Sequence, residues 1–384
     1  MTLPRRGFPP SEFAQRTAHA QTLMAKAGLD ALLLTTEPEV RYYTGFLTRF
    51  WESPTRPWFV VLPSSGKPIA VIPTIGAHLM GQTWVEDIRT WAAPDYDDDG
   101  VELLTDALTE VTRPNGRIGL ADQMESHLRM PLADFRTLER SLKNRHLVSD
   151  ANITRRLRLV KSEAEIDKIA TAVTIAGRAF DRVPEIAGQG TPLTRVFRDF
   201  QRLCLEEGAD WVPYLAGAAS AGGYGDVISP ATDTPLATGD VLMLDTGLIW
   251  DGYFCDFDRN FSLGPPSDTV ASAHNRLIGA TEAAFDIAKP GATISDLFHA
   301  MQPFLGAEAS AARLGHGLGM QLTEWPSIIP ADTTPLVPGM VLTLEPAISL
   351  GPGKLVVHEE NIVIREHGAE YISPPEGRTM RMIE

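Results

Sequence analysis

The stretch GDVLMLDTGLIWDGYFCDFDRNF (residues 239–261) contains two alternating runs of residues around an Asp-Gly pair, which is a typical hairpin signal. The first run is an apolar strand that ends in Asp245. A two-residue loop beginning at Trp250 would place Asp245 directly opposite Asp256, whereas a shift by one pair would place Asp258 there. Because two like charges directly opposed destabilise a hairpin, either register indicates a bound cation. The spacing does not choose between the two registers.

Further acids and one distinctive histidine follow in the same half of the chain. His316 lies in the run LGHGLG, whose glycines allow the backbone to approach a neighbour closely. Glu345 ends another apolar strand. In LVVHEENIVI, side chains alternate between the two faces of the strand, so Glu360 and His358 share one face and Glu359 takes the other. Buried acids that lie close together need a metal or a proton, and carboxylates with one imidazole suit Mn, Fe, Co or Zn.

Composition narrows the class of protein. The chain has 384 residues, 34 Lys and Arg against 49 Asp and Glu, and a net charge of −15. An acidic surface argues against nucleic acid or an anionic membrane as a partner. The N-terminus lacks the apolar region of a secretory signal, and no run approaches 18 apolar residues. The two cysteines cannot form a disulfide framework. We therefore expect a cytoplasmic protein.

Two domains are expected. Strands alternate with helices over the first 150 residues, which indicates an α/β unit. A charged, alanine-rich helical region then begins, and Ser162 followed by Glu165 forms the pattern of a capping box. After residue 210 the sequence is rich in glycine and in predicted strands. We place the domains at 1–155 and 156–384.

The order of these motifs resembles peptidase family M24, which includes methionine aminopeptidase, prolidase, aminopeptidase P and creatinase. The joint pattern is one Asp, a second Asp eleven positions later, then GHGxG, Glu-Pro and a final Glu. Residues 16–45 are similar to a creatinase-type N-terminal domain, and residues 157–166 are similar to the start of the catalytic domain. The resemblance implies an α+β fold: a pita-bread catalytic domain, preceded by a smaller α/β creatinase-type domain.

By the same resemblance, five side chains hold two divalent ions, with manganese first and iron, cobalt or zinc as alternatives. These ligands are Asp245, Asp256, His316, Glu345 and Glu360. The family pattern selects Asp256 rather than Asp258. A water between the ions is the nucleophile, and Glu345 moves its proton. The resemblance also implies a homodimer.

The chain departs from the family pattern around the substrate. No histidine lies between His146 and His274, where the peptidases carry one, and the matching stretch begins at Tyr214. Thr323 stands where a second histidine is usual, and His358 stands where an arginine is common. We expect Tyr214, Thr323 and Trp325 to contact the substrate, and His358 to act as a replacement donor.

The resulting prediction is an M24-type metallohydrolase that acts on a small amide or an Xaa-Pro-like dipeptide. The alternative is a hydrolase or lyase of a small osmolyte-like compound, because both accessory histidines are absent.

Overall fold

A computed structural model of the chain describes residues 3–53, 57–306 and 313–384. The chain divides into two compact units, Arg5–Arg158 and Leu159–Glu384. None of the described helices is long and apolar enough to cross a membrane.

The first unit is built on a six-stranded mixed sheet in the order β4-β3-β2-β1-β5-β6. Its strands are β1 (Ala31–Leu34), β2 (Phe59–Pro63), β3 (Ile69–Pro73), β4 (Asp87–Trp91), β5 (Arg117–Leu120) and β6 (His146–Ser149). Its helices are α1 (Pro10–Ala27), α2 (Glu37–Thr44), α3 (Ala77–Met80), α4 (Val101–Val111) and α5 (Leu132–Ser141). The short helix α6 (Ile153–Leu159) carries the chain into the second unit. The alternation predicted for this region is confirmed as an α/β arrangement.

The second unit contains four α-helices and twelve strands within the described residues. The helices are α7 (Glu163–Asp181), α8 (Leu193–Glu206), α9 (Asp268–Ile287) and α10 (Ile294–Leu305). The first strands are β7 (Trp211–Ala221), β8 (Asp240–Trp250), β9 (Tyr253–Phe254), β10 (Phe257–Leu263), β11 (His316–Gly317) and β12 (Glu324–Ser327). The remaining strands are β13 (Val341–Leu344), β14 (Ala347–Gly351), β15 (Lys354–Val357), β16 (Glu360–Arg365), β17 (Gly368–Tyr371) and β18 (Arg381–Ile383).

Helix α7 begins as the sequence predicts. The Ser162 hydroxyl accepts a hydrogen bond from the Glu165 amide at 3.4 Å, and the Glu165 carboxylate accepts one from the Ser162 amide at 3.0 Å. This reciprocal pair satisfies two of the amides that a helix leaves free at its start. The capping box is therefore confirmed.

Three sheets bring the later motifs into fixed registers. One sheet has the order β18-β10-β8-β7, with β9 paired to β8; a second has the order β12-β11-β13-β16-β17; and β14 pairs with β15. An apolar cluster packs α9 and α10 beside strands of the second sheet. It includes Leu277, Leu297, Phe298, Leu342, Leu344, Ile362 and Ile364. The strands that carry the acids are thus held by a rigid apolar support.

Candidate metal centre

The β8–β10 hairpin sets the positions of three aspartates. Trp250 pairs with Tyr253, so Asp251 and Gly252 form the turn, and both have positive φ, at 50° and 81°. A type I′ turn requires this backbone, which explains the Asp-Gly pair. The register continues into β10 and pairs Asp258 with Asp245. Of the two registers that the sequence left open, the structure has the one that places Asp258, and not Asp256, opposite Asp245.

Asp256 lies in the short break between β9 and β10, where no ladder partner fixes it. Its backbone is held instead by the side chain of Asn361. The Asp256 amide donates to Asn361 Oδ1 at 3.2 Å, and Asn361 Nδ2 donates to the Asp256 carbonyl. This contact ties the hairpin to β16, although the two segments are 105 residues apart in the chain.

The GHGLG run supplies an imidazole with a defined tautomer. A Cβ at Gly315 would lie 2.2 Å from the Thr343 carbonyl oxygen, so only glycine allows this approach to β13. His316 Nδ1 lies 2.8 Å from the Gly317 carbonyl oxygen, which can only accept, so Nδ1 carries the hydrogen. The lone pair of Nε2 then faces Asp256 Oδ2 at 3.3 Å. Two acceptors that face each other at this distance need a proton or a cation between them.

Glu359 is the third residue of the cluster. Asp256, His316 and Glu359 offer ligand atoms that all lie within 4.8 Å of one another. Glu345 follows β13, and its amide donates to the Leu314 carbonyl at 2.9 Å, which sets Glu345 beside the GHGLG run. The structure thus brings Asp256, His316 and the previously unassigned Glu359 together, with Glu345 next to them.

The four carboxyl groups oppose one another electrostatically. Burial, and then the charges of Asp256 and Glu345, raise the pKa of Asp245 well above its ordinary range. Burial and the charges of Asp256, Glu345 and Asp245 do the same to the pKa of Glu359. Burial is also the main cause of the raised pKa of Asp256 and of Glu345. Without a cation, ionisation of this cluster is costly.

Two carboxylate oxygens in the cluster are buried without a hydrogen bond. Asp245 Oδ1 and Glu359 Oε1 have no partner among the residues that the structure describes. An unpaired carboxylate oxygen in a protein interior is unfavourable unless a cation binds it. Orphaned carboxylate oxygens, an imidazole lone pair and mutual repulsion together fit divalent metal ions of the hard to borderline class.

Glu360, which the sequence analysis assigned as a ligand, is engaged elsewhere. Its Oε2 accepts from the Arg259 guanidinium at 3.0 Å and from the Ser373 hydroxyl, and its Oε1 accepts from the Glu376 amide at 2.8 Å. Burial raises its pKa, but Arg259, with His358 and Ser373, outweighs this and holds the pKa of Glu360 at about 2. Glu359, in the short break between β15 and β16, and not Glu360 at the start of β16, lies with Asp256 and His316. The structure therefore differs from the expected ligand set at this position.

His358 shares the face of Glu360. Its Nε2 lies 3.3 Å from Glu360 Oε1, and its ring packs edge-on against His274 with centroids 6.4 Å apart. The structure does not bring His358 into contact with Asp256 or Glu359 through any described hydrogen bond or ion pair. The predicted role of His358 as a donor to the substrate has no geometric support.

The three predicted substrate residues lie in different settings. Tyr214 is half-buried, and its hydroxyl donates to Asp245 Oδ2 at 3.1 Å, so it orients a carboxylate of the cluster. Burial and the charges of Asp245 and Asp256 raise its pKa. Thr323 is exposed, and Trp325 is half-buried against the apolar core.

Two buried features were missed by the sequence analysis. Arg259 forms ion pairs with Glu360 at 3.0 Å and with Glu376 at 2.9 Å. Lys161 forms one with Glu324 at 3.2 Å, and Glu324 also accepts from the Gln321 amide, which fixes the segment after GHGLG. The buried setting of Glu324 could have been suspected from its place beside an apolar run, but nothing in the spacing names its partner.

Comparison with known proteins agrees with this architecture. Residues 167–366 match the model of metallopeptidase family M24, and residues 16–160 match that of the creatinase/prolidase N-terminal domain. A protein described as a probable dipeptidase PepE from Mycobacterium tuberculosis is 30% identical over 371 residues, or 95% of each chain. An Xaa-Pro dipeptidase from Pyrococcus horikoshii is 29% identical over 231 residues, which cover 59% of this chain and 65% of the relative.

Solved structures share the whole architecture. Dipeptidase PepE from Mycobacterium ulcerans superposes with a TM-score of 0.85 at 28% identity, covering 98% of this chain and 99% of that one. A prolidase from Thermococcus sibiricus, at 22% identity, has the same fold with a TM-score of 0.86 over 97% and 99% of the two chains. The predicted pita-bread domain with a creatinase-type N-terminal domain is confirmed. The chain therefore belongs to metallopeptidase family M24 and is a hydrolase of that family, with a creatinase/prolidase-type N-terminal domain.

Proposed function

We propose that this enzyme is a metal-dependent dipeptidase whose centre holds two divalent ions. The proposed ligands are Asp245, Asp256, His316, Glu345 and Glu359. The observation that carries the proposal is the buried cluster of mutually repelling carboxyls, two of whose oxygens lack any described hydrogen-bond partner. Glu359 replaces Glu360 in the set because Arg259 already neutralises Glu360.

The bound ions would supply an activated water and polarise the scissile carbonyl. Within this site Glu345 accepts the proton of the attacking water on its carboxylate and delivers it to the leaving amine nitrogen as the C–N bond breaks. Tyr214 holds Asp245 in place through its hydrogen bond to Oδ2. His316 is held in one tautomer by the Gly317 carbonyl, so that the Nε2 lone pair points toward Asp256, where a metal ion would bind it.

A dipeptide is the substrate class that the relatives support. Two of them are described as a probable dipeptidase and an Xaa-Pro dipeptidase, and the first covers nearly the whole chain. The small osmolyte alternative finds no support among these relatives. The exposed Thr323 stands where peptidases of the family usually carry a histidine, so we expect a different preference among dipeptides rather than loss of peptidase chemistry.

The identity of the metal, the assembly and the location are further parts of the proposal. Manganese is the first choice among Mn, Fe, Co and Zn, because four of the five ligands are carboxylates. A homodimer in the cytoplasm follows from the resemblance and the composition, and sedimentation analysis of the purified chain tests the dimer.

The test is elemental analysis combined with a dipeptide panel. Wild-type protein purified without added metal, then dialysed against Mn²⁺, should retain about two ions per chain, the number used by two-metal hydrolases. Glu345→Ala should retain fewer ions and lose hydrolysis of Xaa-Pro and other dipeptides. Glu370→Ala is a matched control, because Glu370 is exposed and pairs only with Arg365 among described partners. Failure of the wild type to take up Mn²⁺ or Zn²⁺ would overturn the proposal.

A further inference from the structure

A further buried acid lies beside the proposed metal centre. Asp258 on β10 is directly opposite Asp245 on β8, and it is 1% exposed. Residues opposed in an antiparallel pair project from the same face of the sheet, with Cβ atoms about 4.5–5.5 Å apart. The Asp258 carboxylate therefore lies on the face from which Asp245 enters the centre.

A chain of buried hydrogen bonds orients the Asp258 carboxylate. The Tyr224 hydroxyl accepts from the Val357 amide at 2.8 Å, so its own hydrogen is donated to Asn260 Oδ1, 2.9 Å away. This fixes the Asn260 amide, whose Nδ2 donates to the Val357 carbonyl at 2.8 Å and to Asp258 Oδ1 at 3.2 Å. The hydrogen bond to Oδ1 leaves Oδ2 as the oxygen of Asp258 that is available to the centre.

No cation of the described chain balances this pair of opposed acids. Neither Asp245 nor Asp258 forms an ion pair with a described lysine or arginine. Asn260 gives the Asp258 side chain its only described hydrogen bond, and Asp245 Oδ1 is buried with none. Like charges that are directly opposed destabilise a sheet, and buried carboxylates need a cation. The Asp245–Asp258 pair therefore fits a bound ion.

We propose that Asp258 is a further ligand of the metal centre, bound through Oδ2 to the ion that Asp245 holds, and that it biases the centre toward Mn²⁺ over Zn²⁺. This inference rests on the proposed metal centre. Asp258 adds a carboxylate to a ligand set that already has a single imidazole. Manganese favours octahedral, oxygen-rich coordination, whereas zinc favours tetrahedral sites and binds nitrogen readily, so the added carboxylate stabilises Mn²⁺ more than Zn²⁺.

A ligand and a nearby charge differ in their effect on two metals of equal charge. A carboxylate that only lies near the ions attracts Mn²⁺ and Zn²⁺ alike, because the Coulomb energy depends on charge and distance. A carboxylate that binds the ion also sets its coordination number and geometry, in which the two metals differ. The ratio of the two affinities therefore reports coordination by Asp258 and not its charge.

The experiment measures binding of Mn²⁺ and of Zn²⁺ to the chelated protein by titration calorimetry, and the visible spectrum of the Co²⁺-loaded protein is a second readout. Asp258→Asn removes the charge while keeping the shape, Asp258→Ser shortens the side chain, and Asp286→Asn is the control, an exposed change on α9. In both Asp258 variants we expect the Mn²⁺ affinity to fall about 100-fold and the Zn²⁺ affinity about 10-fold, so that their ratio changes about 10-fold. The Co²⁺ spectrum should change with the loss of a ligand, and Asp286→Asn should match wild type.

The outcomes separate the role of Asp258 from the metal centre itself. If the wild type binds neither Mn²⁺ nor Zn²⁺, the centre is refuted and the role of Asp258 with it. If the wild type binds both metals and the Asp258 variants keep its affinity ratio and its Co²⁺ spectrum, only the role of Asp258 is overturned, even when both affinities fall together.

Thermal unfolding of the chelated proteins adds an independent check. Asp258→Asn removes one of two opposed charges, so its Tm without metal should equal or exceed that of wild type. A clear fall in Tm would show that the protein itself compensates the Asp258 charge, which also overturns the inference. If Asp258→Asn does not fold, Asp258→Ser provides the same comparison of Mn²⁺ with Zn²⁺.

Discussion

Two adjacent glutamates, Glu359 just before β16 and Glu360 at its start, should respond in opposite ways to the same substitution. Glu359→Gln and Glu360→Gln each remove one negative charge while keeping the shape of the side chain. Glu360 is bonded to Arg259, and Glu359 is surrounded by other acids. We predict that Glu360→Gln lowers stability and keeps the metal, and that Glu359→Gln loses metal without destabilising the metal-free protein.

The magnitude for Glu360 follows from its pKa. The pKa lies at about 2 against an ordinary 4.5, and one pKa unit corresponds to about 1.4 kcal/mol, so the ionised carboxylate contributes about 3 kcal/mol. Because the folded-state pKa is lowered, this contribution is complete above pH 4.5 and disappears as the pH falls toward 2. At neutral pH Glu360→Gln should therefore lower Tm by about 6–12 °C for a unit of this size. The buried Arg259 keeps Glu376 as its second partner, which limits the loss.

The ionised Glu359 carboxylate makes a contribution to stability of the opposite sign. Burial and the charges of Asp256, Glu345 and Asp245 raise its pKa, so its ionised form opposes folding at neutral pH when no metal is bound. Removal of that charge should leave the Tm of the chelated protein equal to or above that of wild type. The same change removes a proposed ligand, so the rise in Tm on addition of Mn²⁺ should shrink.

The assay measures thermal unfolding of both variants and wild type after chelation and again with Mn²⁺, together with the metal content. Glu370→Gln, an exposed change on β17, should match wild type in all three measurements. Loss of metal in Glu360→Gln and retention of metal in Glu359→Gln would refute the assignment of Glu359 to the centre and the reasoning from Arg259.

The sequence predicted the β8–β10 hairpin because its turn chemistry is local. An Asp-Gly pair adopts positive φ at both positions, and the flanking apolar residues alternate. The register could not be predicted, because it depends on which two residues occupy the turn. The final register pairs Asp258 with Asp245, and Asp256 is placed by Asn361 from a distant strand. Local sequence patterns therefore identified the acidic residues of the site but did not predict which residues they contact.

The choice between Glu359 and Glu360 shows the same limit. The structure places the two carboxylates in different surroundings, although Glu359 precedes β16, and strand alternation carries no information about which of them meets the centre. That depends on the pairing of Glu360 with Leu344 across β13 and β16, and on Arg259, which lies about a hundred residues earlier in the chain. A buried arginine whose partner is distant leaves no periodic signal in the sequence.

Three further predictions test single contacts. Tyr214→Phe removes the hydrogen bond to Asp245 and should weaken Mn²⁺ binding about 10-fold with an unchanged fold, measured by titration calorimetry. Lys161→Met leaves the Glu324 carboxylate buried without its cation and should cost about 3–5 kcal/mol in urea unfolding, and the loss should be absent in the double variant with Glu324→Gln if the ion pair is its cause. Burial raises the pKa of Asp150 to about 6, so stability of the first unit should fall as the pH rises from about 4 to 6, and Asp150→Asn should flatten that dependence in thermal scans.

The treatment of buried acids in the second unit is itself an argument for a metal centre. Three of them are neutralised by lysine or arginine within the described chain. These pairs are Glu360 with Arg259, Glu324 with Lys161, and Asp251 with Lys168. Another four have no lysine or arginine ion pair among the described residues: Asp245, Asp256, Glu359 and Asp258, whose carboxylate accepts from the Asn260 side-chain amide. The protein interior provides cations for some of its buried carboxylates and none for those beside the His316 imidazole. Because buried carboxylates without a cation destabilise the fold, a structural role alone does not explain the second group. The unpaired acids lie together around His316, and external cations would complete the charge balance that the chain provides elsewhere from its own side chains.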